Sequence, residues 1–226
     1  MLFRSSDLLS RNVPTAEWLR HGLASFFETP QRTFFDCTAL PSWTNLVSFR
    51  YFRKTGQLPD DDSAAVLLNT ITDQYFSKAR ATFKTLPAER KMDTPEEKRA
   101  RQQLELAQAT SWALTYFLMN NDLDGVFAYL EELRQLPRDV EFDAPVLAGC
   151  FARAFKIEAD PDNPLQLKMP DVQKRADQWF AYLGERSTSL DISGIESQLV
   201  AERIPAEKKK RPTSKRGSSS GGPPPR

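Results

Sequence analysis

Histidine is almost missing from this chain: one residue, His21, stands among 226. Any Ser-His-Asp or Cys-His nucleophilic site would have to be built on that one imidazole, and no such constellation is evident around it. A zinc site needs three or four converging ligands, and one His with two Cys can supply these only with help from carboxylates. Cysteine is equally sparse. Cys37 and Cys150 are too few and too far apart for a disulfide framework, and read as small buried thiols. No apolar run approaches membrane-spanning length. The start, MLFRSSDLLSRN, lacks a secretory core and cleavage site. There is no repeat of fixed period, which argues against a solenoid.

What is present is enough apolar material for a core, 40% of residues, and a charge that is small in total but unevenly placed. The net charge is +1, yet the last twenty residues carry seven Lys or Arg and one Glu, which leaves −5 on residues 1–206. Nothing in that acidic body suggests a nucleic-acid surface. The stretch PAEKKKRPTSKRGSSSGGPPPR has almost no apolar residue and cannot repay its ordering entropy, so it reads as a disordered, solubilising tail. It lacks aromatics to stack on bases.

The helical pattern is dense elsewhere. In AEWLRHGLASFFE, residues 16–28, Trp18, Leu19, Leu23, Phe26 and Phe27 make one wide apolar face. Thr15 is placed to cap, and Glu17 sits at the positive helix end. Gly22 lowers helix propensity, so it predicts close approach by another element. Further helices are predicted over about 43–54, stopped by Gly56, then 63–69 and 72–86. Thr94-Pro95-Glu96-Glu97 opens a long helix to about Met119, solvated first and buried from Leu104. A helix to about Leu136 is expected to turn Leu123, Phe127, Leu130 and Leu133 inward. Two more run to about Phe155 and Arg186. Arg32 to Ala39 reads as a short extended segment, and Ile192 to Ile204 as a loose helix. Asp60-Asp61-Asp62 lacks the alternating spacing of a calcium loop and reads as a turn with a cap.

Two segments carry a resemblance. WLRHGLASFFE resembles the WLxEGLAxYFE signature of an uncharacterised bacterial family of gluzincin-type zinc metallopeptidases. Trp18, Leu19, Gly22, Leu23, Ala24, Phe27 and Glu28 carry the match. SWALTYFL, through Ser111, Trp112, Ala113, Leu114, Phe117 and Leu118, resembles a second signature of that family, [AS]WALxxFL. The resemblance implies that the Glu of Glu-Gly is the third zinc ligand, with two ligands and the general base supplied by an upstream HExxH helix. Here His21 occupies the ligand position and no HExxH exists in the chain. Such a helix would end at or before Met1, so the chain reads as the C-terminal helical part of a zincin-like domain.

The expectations are therefore these. The fold is mainly α, several antiparallel helices over residues 1–186, followed by a disordered basic tail over 187–226. The function is that of a metallopeptidase-like protein, catalytically inactive as given; the alternative is a helical module binding a peptide or protein in an exposed apolar groove. His21 marks the third-ligand position, with Glu17 and Glu28 as its carboxylate neighbours. No cofactor is expected in this chain, and zinc only if an upstream HExxH helix exists. The partner is unknown. The location reads as cytoplasmic as given, and as exported if the true start lies upstream.

Overall fold

The computed structural model describes residues 15–28, 42–86, 94–137, 142–158 and 167–185. The segments Arg32–Ala39 and Ile192–Ile204 and the basic tail lie outside them, as does Cys37. Among the described residues there are eight α-helices: α1 (Glu17–Phe27), α2 (Trp43–Lys54), α3 (Ser63–Ile71), α4 (Gln74–Lys84), α5 (Pro95–Asn121), α6 (Leu123–Gln135), α7 (Ala144–Phe155) and α8 (Met169–Glu185). A 3₁₀ turn, Asp60–Asp62, precedes α3. None of these helices is long and apolar enough to cross a membrane.

The organising element is α5, whose 27 residues span about 40 Å. Its start is as predicted: Thr94 Oγ1 accepts the N–H of Glu97, and Pro95 occupies the first turn. The Glu97 carboxylate pairs with Arg101 one turn on, at 2.7 Å. From Leu106 to Leu118 almost every residue is buried, and α1, α2, α4, α6 and α8 all pack on α5. A helix so enclosed needs apolar residues all round, which is why its second half lost amphipathic periodicity. Around it α6 pairs with α7 and α3 with α8.

The helix ends follow local chemistry. Ser42 caps α2, and Gly56, at φ +73°, turns the chain out just after it. Asp143 and Asp122 cap α7 and α6 through the N–H groups of Val146 and Gly125. The Ser63 hydroxyl and the Gln173 amide both bond Asp177 Oδ1 at 2.7 Å, tying α3 to α8. The acidic turn is spent locally, with Asp60 paired to Arg53 at 2.7 Å.

Two details depart from the helical spacing in the sequence. In α2 the spacing of Trp43, Leu46, Val47, Arg50 and Tyr51 predicts the inward face; Leu46 and Val47 are buried, but the fully buried rings are Phe49 and Phe52, while Arg50 and Tyr51 are only partly covered. In α6 the inward face is Val126, Tyr129, Leu130 and Leu133; Leu123 and Phe127 remain 44% and 40% exposed. The cause is Gly125. It lies against the Phe155 ring so closely that a Cβ there would sit 2.5 Å from a ring carbon. That contact rolls α6 onto α7 and turns Leu123 and Phe127 outward.

Candidate functional site

Helix α1 is held at three levels, and each involves different chemistry. At its start the capping residue is not Thr15. The cap position is Ala16, which has no side chain able to cap. The acceptor comes instead from the turn between α3 and α4. Asp73 Oδ2 and Oδ1 take the backbone N–H groups of Glu17 and Trp18, both at 2.7 Å. Asp73 itself stands at φ +57°, a left-handed conformation that aspartate tolerates better than most residues. Burial pushes its carboxyl up to about 6, opposed by the Trp18 N–H and by Arg20.

This end of α1 opens on a polar cleft of about 520 Å³ whose walls include Arg20, Asp73, Gln74, Arg80 and Asp143. Its charges are mutually engaged. Glu17 pairs with Arg80 and, at 3.6 Å, with Arg20. Asp73 caps α1 and Asp143 caps α7.

In its middle, α1 meets α5 along a dry seam. Gly22 is the point of closest approach, as a glycine there predicts. A Cβ on it would lie 1.9 Å from Thr115 Oγ1 and 2.7 Å from the Ser111 carbonyl oxygen. The two signature segments, one on α1 and one on α5, are therefore packed directly on each other. Trp18 lies 5.5 Å from Tyr129 and 6.2 Å from Phe151, ring centre to ring centre. Its indole interacts with the Tyr129 hydroxyl, though neither polar atom has a partner of normal hydrogen-bond geometry. Burial raises the Tyr129 phenol and, on α7, the Cys150 thiol, so both stay neutral.

Beside Gly22, His21 points between α4 and α5. Its ring stacks on Phe76 with centroids 5.6 Å apart and planes 25° apart. Its Nε2 is 3.3 Å from the Gln108 amide nitrogen. Nδ1 is enclosed and has no partner of normal geometry. Desolvation lowers the pKa of the ring, opposed by its own backbone; Arg20 lowers it further and Glu28 raises it. Glu17, one turn earlier, turns to Arg80 and Arg20, and Glu28 is exposed at the C-terminal end of α1. The polar neighbour of the ring is thus Gln108. Its signal in the sequence was a lone amide inside the apolar run of α5. Asp73 left no such signal, since nothing in its neighbourhood points to a helix start 55 residues earlier.

Zinc can be tested against this setting. Among the described residues no three His, Cys, Asp or Glu side chains gather to hold a metal ion. Beside His21 stand the Phe76 ring, which offers no ligand atom, and the Gln108 amide nitrogen, which faces Nε2 and has no lone pair to give a metal. The described residues do not fit a zinc centre.

Residues 4–139 match the family described as "Protein of unknown function (DUF1570)". The chain belongs to that family. Within the match to DUF1570 lie helices α1 to α6, both signature segments, and His21 with Phe76 and Gln108 beside it. No curated protein and no solved structure matches the chain.

Proposed function

We propose that this DUF1570 chain is a non-catalytic relative of gluzincin-type metallopeptidases, keeping the helix pair of that architecture without its metal chemistry. The observation that carries the reading is the occupant of the ligand position. Apart from a phenylalanine at the signature's tyrosine position, the segment is kept on either side of residue 21, and its Gly22 serves as a tight helix contact. At residue 21 itself a histidine stands where the resemblance implies a zinc-binding carboxylate, with Phe76 and Gln108 as its neighbours. Residues 1–226 contain no HExxH, so these residues themselves hold neither the first two ligands nor the general base that the resemblance implies.

The test is elemental analysis of the purified full chain together with hydrolysis of a quenched fluorescent peptide library. The expected result is no stoichiometric zinc and no cleavage above buffer. Tight equimolar zinc with chelator-sensitive cleavage would overturn the proposal.

The binding-module reading has less support. It asked for an apolar groove, whereas the cleft at the start of α1 is polar and its carboxylates are committed. The exposed large apolar side chains among the described residues are Phe27, Leu123, Phe127 and Met169, on three different helices.

A further inference from the structure

We infer that His21 acts as an uncharged interlock that joins α1 to α4 and α5, with its one free lone pair committed to Gln108. This deepens the reading of the same position given above, but it stands on side-chain geometry alone.

A neutral imidazole has one N–H and one lone pair. The Gln108 amide nitrogen can only donate, so His21 Nε2, 3.3 Å away, accepts. The proton is thereby assigned to Nδ1, which is enclosed. The ring face is covered by Phe76 from α4. Each of the three groups comes from a different helix, so the contact closes the corner where α1, α4 and α5 meet. A metal at Nε2 would have to displace the Gln108 amide, and one at Nδ1 would have to enter a closed space. A second proton on the ring would set two N–H donors against each other at Nε2.

The chain has a single histidine, so its imidazole signals are unambiguous. The test is long-range ¹H–¹⁵N correlation on the full chain at neutral pH, before and after one equivalent of zinc chloride, alongside thermal denaturation of wild type and His21→Leu. The expected result is the Nδ1–H tautomer, unmoved by zinc, and a Tm lower by about 2–4 °C in His21→Leu. An Nε2–H tautomer or a charged ring at neutral pH would overturn the inference. So would zinc-shifted imidazole signals with a zinc-dependent Tm rise that His21→Leu abolishes. Peptide cleavage with the imidazole signals unmoved by zinc would sink the non-catalytic proposal and leave this one standing.

Discussion

The two ends of the grip on α1 differ in kind. Along the seam with α5, contact is dry, close and set by shape: Gly22 on Ser111 and Thr115, with buried Trp18, Leu19, Leu23 and Phe26 around it. At the helix start the contact is wet and set by charge: Asp73 on two amides, Glu17 on two arginines, beside an open cleft. Shape complementarity tolerates no added atom, whereas charge pairing at a solvent edge tolerates a good deal. The same helix should therefore respond very differently to changes placed a turn and a half apart.

The largest effect is expected at the seam. Gly22→Ala gains about 1 kcal/mol of helix propensity but forces α1 off α5, for a net loss of about 3 kcal/mol. Adding Thr115→Ala should recover only part, because the Ser111 carbonyl lies 2.7 Å from the new methyl. Urea denaturation of the single and double variants reads this directly, and full recovery would mean the seam is looser than described.

Next comes the cap. Asp73→Ala removes the acceptor for two amides and places Ala at a positive φ, for a loss of about 2 kcal/mol. Asp73→Asn keeps one acceptor and tolerates the left-handed backbone, so it should cost less. The pH dependence gives the sharper signature. The folded Asp73 carboxyl is raised to about 6 from an ordinary value of 3.8, so folding favours its protonated form. Its contribution is greatest below about pH 4 and is lost as the pH rises through 6. His21 runs the other way. Its lowered pKa means that its contribution is present above 6.5 and is lost as the pH falls. Between those limits the two oppose, and Asp73→Asn should leave a steeper loss of stability on acidification. A denaturation series from pH 4 to 8 that is unchanged by Asp73→Asn would remove the buried-carboxyl account.

The smallest effect belongs to the cleft rim. Arg80 is about half exposed where it meets Glu17, so Arg80→Ala should cost about 0.5 kcal/mol, and less at high salt. A loss several times larger would mean that the wet end is as tightly built as the seam.

The same contrast decides what the sequence could disclose. The seam was legible because its causes are local: an apolar stripe at helical spacing, a glycine set into it, and a helix apolar all round to receive it. The capping residue Thr94 was legible for the same reason, lying beside the turn it serves. The cap on α1 was not legible, since its acceptor, Asp73, is distant in the chain and the obvious candidate, Thr15, stands next to the right place. The exposure of Leu123 and Phe127 was hidden because periodicity gives a stripe but not the roll of the helix. That roll depends on the fit of Gly125 against Phe155. At residue 21 the resemblance implies a ligand position occupied by histidine, while the identity of its neighbours had to come from the packing of α4 and α5.

The remote cap has a consequence for biosynthesis. Chain leaves the ribosome from the amino end, so α1 emerges with its first amides bare and its indole uncovered. Asp73 follows only after two more helices have been made, and the Ser111–Thr115 platform later still. A nascent chain caught between those events presents a sticky, half-formed segment, and this is the stage at which a holding chaperone would find something to grasp.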